Sequence, residues 1–324
     1  MSENQLIIDT DVGVDDALAI LLALSNPSKC KVVAITCVAG NVGLSTVYTN
    51  VLRLLNFCGQ VQNIPVYMGC KTALIHHATP FHENAHPPHG HDGFGGVAED
   101  FPLPKDDLEV PSDHAAVAMT HIVARHPGAV TLVALGPLTN VAIAQRLDPN
   151  FLPNLKELVV MGGTVEGKGN EHPAAEFNFA CDPEAASIVL SEQECKTRLV
   201  PYETCLKHSL DWDSYREWTS CGTKNSDFVK KITAQSAEWR RDTLKRHGYT
   251  SCDLQAMATV LDPSVTLRSE SYPAWVELHG ATTRGMLVLD QRPSYRWHNK
   301  VPHIKLQLEF DEKLLKEMFM RMVL

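Results

Sequence analysis

Four carboxylates fall within eight residues near the start of the chain, in the segment Asp9-Thr-Asp11-Val-Gly-Val-Asp15-Asp16-Ala17. Acidic residues at a helix start gain ~0.3–1 kcal/mol each from the helix dipole, which accounts for one or two of them. Four beside apolar runs repel one another strongly unless a cation sits among them. All-oxygen ligation suits Ca²⁺ or Mg²⁺, and the lack of paired Cys/His ligands argues against zinc. The segment therefore predicts a hard-cation site where a strand turns into a helix.

Three other patterns fail on context. Gly162-Gly-Thr-Val-Glu-Gly-Lys168 fits G-x-x-x-x-G-K, but Gly169 replaces the Ser/Thr that holds Mg²⁺ and Pro173 interrupts any following helix. His82-Glu-Asn-Ala-His86 fits H-E-x-x-H, yet Pro80, Pro87 and Pro88 leave barely one turn to put both histidines on one face. Six of the 15 histidines lie between 76 and 91, so adventitious metal affinity is expected there. Asp9-Thr-Asp11 fits the D-x-D of haloacid-dehalogenase-like phosphatases, but Gly13 stands where those proteins carry Thr or Val.

The elements that must position the acidic cluster read as strands alternating with helices. Leu6–Asp9, Val32–Val38 and Pro65–Gly69 are strands, with helices over Asp15–Ser25 and Leu44–Phe57 between them. The stretch from Cys70 to Ser112, rich in Pro and Gly, has no regular pattern and reads as a long functional loop. Beyond it come a helix over Asp113–His126, a strand over Val130–Leu135, a helix over Leu138–Arg146 and a strand over Glu157–Met161. Asp182-Pro183 starts a helix running through Glu184–Leu190, and Arg198–Val200 is a strand. Residues 211–262 read as largely helical, and strands are expected around His279–Asp290 and His303–Phe310. This alternation means a mainly parallel central sheet flanked by helices, in one α/β domain spanning 1–324, with the site at the C-terminal ends of the strands.

Composition excludes other classes. The chain has 324 residues, 44% hydrophobic, enough to bury roughly three quarters of its unfolded surface. Net charge is −9, from 29 basic and 38 acidic residues, and no Lys/Arg run exceeds a pair, so a nucleic-acid footprint is absent. The longest apolar run, Ala17–Leu24, is too short to span a bilayer. Nine scattered cysteines without a C-x-x-C pair suit free thiols in a reducing compartment, so a cytoplasmic location is expected.

Read in order, the motifs closely resemble the nucleoside hydrolases of the inosine–uridine-preferring type. Asp9–Ala17 matches that family's opening D-x-D-x-G-x-D-D-A signature. Ala39-Gly-Asn41, Leu135-Gly-Pro-Leu-Thr-Asn140, Val160-Met-Gly-Gly163, Asn170…Glu176-Phe-Asn178, Asp182-Pro-Glu-Ala-Ala186, Asp253…Asp262-Pro263 and His279-Gly-Ala-Thr-Thr-Arg-Gly285 follow in sequence. The resemblance covers about residues 5–310. It implies the nucleoside hydrolase fold, one Ca²⁺ held by Asp11, Asp16, the Leu135 carbonyl and Asp253, and a homodimer or homotetramer. It further implies that Asp15 and Asn178, with Asn41 close by, hydrogen-bond the ribose 2′- and 3′-hydroxyls. Asn170 and Glu176 would hold the 5′-hydroxyl, Met161 would pack near the sugar, and His89 would approach the base, with His86 and His91 equally available.

The implied reaction is hydrolysis of a ribonucleoside to free ribose and base. Oxocarbenium character builds at C1′ and water attacks from the opposite face, with Asp11 taking its proton. One departure matters. Where the best-known branch of the family has a His before the late Asp, placed as acid for the leaving base, this chain has Cys252, which serves either as that acid or as pocket lining. Trp212, Tyr215, Trp239 and Tyr249 lie in the segment that would flank the base. Two alternatives stay open: a non-catalytic descendant that binds metal and ribose, and a hydrolase of another N-riboside such as nicotinamide riboside.

Overall fold

The computed structural model describes residues 4–75, 88–105, 111–292 and 302–324. Strands β1 (Gln5–Thr10), β2 (Lys31–Cys37) and β3 (Val66–Met68) are joined by helices α1 (Val14–Leu24) and α2 (Leu44–Phe57). Next come α3 (Ala115–Arg125), β4 (Val130–Ala134), α4 (Thr139–Leu147) and β5 (Glu157–Met161). A short α5 (Phe177–Cys181) leads into α6 (Pro183–Glu192), β6 (Thr197–Val200) and α7 (Tyr202–Lys207). A two-stranded ribbon, β7 (Leu210–Asp211) with β8 (Gly248–Tyr249), brackets α8 (Trp212–Trp218) and α9 (Lys224–Glu238). The chain ends with α10 (Cys252–Leu261), β9 (Thr266–Val276), β10 (Leu287–Leu289), β11 (His303–Phe310) and α11 (Glu312–Val323).

Among the described residues the main sheet has nine strands in the order β10-β9-β11-β6-β5-β4-β1-β2-β3. From β3 across to β11 every pairing is parallel, while β9 and β10 add antiparallel strands at one end. The central strands are buried on both faces, which is why β4 and β5 read as near-continuous apolar runs. Alternate side chains serve two cores. Leu6, Ile8, Val133 and Val159 pack with α1, α2, α9, α10 and α11, whereas Ile7, Leu132, Leu158 and Leu199 pack with α3, α4 and α6. The chain runs outward from β1 through β2 and β3, then returns to place β4 on β1's other side. Such a reversal opens a crevice at the strand ends, and the acidic segment follows β1 directly into it.

The sequence reading of the first half holds closely, and four places differ. The region 88–105 lacks strands, yet it is not loose: Phe94 and Phe101 are buried against Phe57 and Phe228. The region expected as strand over His279–Asp290 is mostly a turn, because Glu277 accepts hydrogen bonds from the His279 and Gly280 amides and only Leu287–Leu289 pairs. Strand β9 begins at Thr266, ahead of the expected 273, and α11 follows β11. No helix among the described residues is long and apolar enough to cross a membrane. His82 and His86 lie outside the described residues.

Candidate active site

Strand β1 delivers Asp11 and helix α1 delivers Asp15 and Asp16. Asp16 stands at the third position of α1, where its Oδ2 accepts the Gly13 amide at 2.9 Å and its Oδ1 accepts the Thr10 hydroxyl at 2.5 Å. It thus caps its own helix and fixes the turn out of β1. Asp11 Oδ2 accepts the Asn41 amide at 2.7 Å, while Asn41 Nδ2 reaches Asp16 Oδ2 at 3.3 Å. Asp11 Oδ1 is buried with no hydrogen-bond partner among the described residues. Gly40 and Gly136 make room for this carboxylate: a Cβ on either would fall 2.0 Å from Asp11 Oδ2 or 2.8 Å from Oδ1.

Asp253 arrives from the first turn of α10, and its carboxylate meets those of Asp15 and Asp16 with the oxygens within 4.8 Å of one another. The sequence expectation grouped Asp11, Asp16 and Asp253 as ligands. The structure converges Asp15, Asp16 and Asp253, and sets Asp11 against Gly136, the residue that follows Leu135. Burial, and then the charge of Asp16, pushes the Asp11 carboxyl well above its usual range. Burial followed by the charge of Asp15 raises the Asp16 carboxyl and pushes that of Asp253 well above its usual range. Such a cluster is costly without positive charge, and its hard oxygen donors suit Ca²⁺ or Mg²⁺. The residues present fit a divalent cation.

Asp9, the remaining member of the acidic segment, does not join the site. Its Oδ1 accepts from Thr36 at 2.7 Å and Asn140 at 2.8 Å, and burial pushes its carboxyl up to about 7. Asn140 also donates to the Cys37 carbonyl and accepts from the Cys70 amide, tying β1, β2 and α4 together beneath the site. Sequence reasoning quoted Asn140 within a motif but gave it no role.

The opposite wall is built by the segment around α5. Asn178 Nδ2 donates to the Leu135 carbonyl at 2.7 Å and the Met161 carbonyl at 3.2 Å, so β4, β5 and α5 are locked at their site ends. Glu176 caps α5 by accepting the amides of Asn178 at 2.9 Å, Gly163 at 3.0 Å and Phe179 at 3.3 Å. Burial nevertheless raises its carboxyl to about 7, with the three amides opposing. Asn170 accepts the Phe177 amide at 2.8 Å from an exposed position at the rim.

These groups line a cavity of about 730 Å³ together with Asp15, Asn41, Met161, His89, Cys252 and Asp253. His89 Nδ1 accepts the Val14 amide at 3.0 Å, which leaves the ring proton on Nε2. Its 3.5 Å approach to Asp15 Oδ1 is then not a hydrogen bond. His91 lines the cavity as well. Of the four aromatics named from sequence, Trp239 lines the cavity, while Tyr215 stacks on Tyr249 at 5.1 Å and packs edge-on against Trp212 behind it. Sequence reasoning did not single out Tyr202, Lys71, Thr46 or Arg240, which also line it.

Cys252 is buried at the cavity wall, and its thiol is pushed well above its ordinary value by the neighbouring Cys205 thiol and by burial. A thiol held so firmly neutral is a weak proton donor at pH 7, which favours lining over acid catalysis. Cys252→Ser should therefore leave inosine and uridine turnover within about threefold. A loss of ~10²-fold on these nucleosides, sparing p-nitrophenyl riboside, would instead make the thiol the acid.

Comparison with known proteins gives the family. The profile of the inosine-uridine preferring nucleoside hydrolase family matches residues 6–317. The chain is 36% identical over 314 residues to an inosine-uridine preferring nucleoside hydrolase of Leishmania major, covering 95% of this chain and 94% of that protein. Its fold superposes on a plant nucleoside hydrolase with a TM-score of 0.88 at 28% identity, covering 99% of both chains. An inosine-guanosine nucleoside hydrolase gives 0.87 at 31% identity over 98% of both. An acidic cluster at the strand switch point, a cavity large enough for a nucleoside and a match across nearly the whole chain agree: this protein belongs to the inosine-uridine preferring nucleoside hydrolase family.

Proposed function

We propose that the protein hydrolyses the N-glycosidic bond of ribonucleosides to free ribose and nucleobase, at a Ca²⁺ site formed by Asp11, Asp16, Asp253 and the Leu135 carbonyl. The observation that carries this reading is the buried, unpartnered Oδ1 of Asp11 next to three converging carboxylates. When bound, the cation supplies positive charge that lowers the pKa of a water and orders the ribose diol. Asp11 takes the proton of the attacking water. Asp15 and Asn41 bind the 2′- and 3′-hydroxyls; Asn178 joins them through Oδ1, since Nδ2 is engaged by Leu135 and Met161. Asn170 and Glu176 hold the 5′-hydroxyl. With a carboxyl near 7, Glu176 can either donate to or accept from that hydroxyl at neutral pH. Met161 packs against the sugar, and His89 faces the base end of the cavity. Fixing the sugar between these groups supplies the orientation that hydrolysis in water lacks.

The nine free thiols accord with a reducing setting; a cytoplasmic role in nucleoside salvage or catabolism, as a homodimer or homotetramer, is proposed from the resemblance alone. Calorimetry on chelator-stripped protein tests the site. The expected result is about one Ca²⁺ per chain, with binding strongly weakened by Asp253→Asn. No heat of binding at millimolar Ca²⁺ would remove both this reading and that of a metal- and ribose-binding descendant.

A further inference from the structure

Helix α9 does not end cleanly at Glu238. Residues Trp239–Thr243 extend it as a π-helical turn, closed by the Leu244 amide on the Trp239 carbonyl at 3.1 Å. Such turns are rare and recur at functional sites, because the wider turn re-aims the side chains it carries. Here it brings Trp239 and Arg240 to the cavity wall with Tyr202 and Cys252. The Arg240 guanidinium lies 5.8 Å from the ring centre of Tyr249. That ring is itself fixed by Tyr215 and by a 3.2 Å contact with the Ser236 hydroxyl. Arg240 Nε is buried and has no hydrogen-bond partner among the described residues. An unpaired buried donor on a charged group is costly, and a ligand in the cavity that draws the guanidinium round onto its acceptors relieves that cost.

We propose that Arg240 recognises the departing base and selects 6-oxopurine ribosides, donating from Nε and a terminal nitrogen to purine O6 and N7. This inference rests on the hydrolytic reading above and adds the base to it. A guanidinium has donors only, in a fixed fork. Hypoxanthine and guanine present two acceptors, N7 and O6, on one edge, which the fork matches; adenine replaces O6 by a donor. Uracil has no N7. The placement also suits the bond being broken. As C1′–N9 cleaves, its electron pair goes to the base while the water oxygen bonds to C1′ and Asp11 takes the water proton. Negative charge spreads over the purine onto N7 and O6, where the fixed cation holds it more tightly than in the ground state. The base anion then takes a proton from solvent on release. This gives leaving-group stabilisation without a proton from Cys252, and it disfavours a riboside whose attached base is cationic, such as nicotinamide riboside.

The test compares kcat/KM for inosine, guanosine, adenosine, uridine and p-nitrophenyl riboside in the wild type, Arg240→Met and Arg240→Lys. Wild type should prefer inosine and guanosine over adenosine. Arg240→Met should lower inosine and guanosine by about 10-fold to 100-fold while p-nitrophenyl riboside stays within about threefold. Arg240→Lys keeps the charge without the fork and should lose most of the inosine-to-adenosine preference. It also serves if the Met variant fails to fold, as judged by thermal unfolding. An equal loss on all substrates, or an unchanged inosine-to-uridine ratio, would overturn the assignment of Arg240 while leaving the hydrolytic reading intact. A wild type that releases ribose from no riboside would overturn both.

Discussion

Asp11→Asn should lower kcat/KM on every accepted nucleoside by ~10²–10⁴ or more, with the fold intact. The substitution is nearly isosteric, and an Asn carbonyl still accepts the Asn41 amide that now reaches Asp11 Oδ2. What it removes is the basic atom that takes the water's proton and one unit of negative charge beside Asp16. Because that charge is opposed by burial and by Asp16, the cation-free variant should unfold at the same temperature as the wild type or higher. A loss of rate with no loss of stability separates a chemical role from a structural one. Steady-state kinetics on inosine and uridine, paired with thermal unfolding, make the comparison. Wild-type rates in Asp11→Asn would show that Asp11 is not the base.

The parts of the molecule that the sequence makes plain are those set by local pattern. Helix α2 over Leu44–Phe57 and strand β5 over Glu157–Met161 match the reading residue for residue. Their apolar spacing and the Gly on either side of α2 leave one solution. Strand β9 is harder, because its Thr266–Val276 run carries exposed polar residues on a sheet margin and lacks the clean apolar core of β4. The sequence reading assigns nothing past Phe310, although Leu315, Met318, Phe319, Met322 and Val323 repeat at helical spacing and are buried in α11. The acidic half of the site was legible, since Asp11, Asp15 and Asp16 come from a single segment. Its completion by Asp253 rested on resemblance, because α10 meets α1 only through the fold. Arg240 was not legible at all. Its position depends on a π turn, on Tyr249 behind it and on a cavity wall shared with residues far apart in sequence. The roles of Asp9 and Asn140 escaped for the same reason, as both act across strands.

The second large effect expected is on cation removal. Buried carboxylates of Asp11, Asp16 and Asp253 repel one another, so a site stripped of its cation should take up protons and lose its charge. Asp11 would then be a poor base, and the ribose diol would lose the charge that orders it. Both losses fall on the transition state. Stripping with a chelator at pH 7 should thus reduce turnover by ~10³-fold or more, and added Ca²⁺ should restore it as about one equivalent per chain binds. The most direct measurement is free ribose released from inosine, guanosine, adenosine and uridine by the purified chain, before stripping, after it and after Ca²⁺ is returned. The account predicts release that vanishes on stripping and returns with Ca²⁺. Ribose release that continues unchanged in the stripped protein would contradict it.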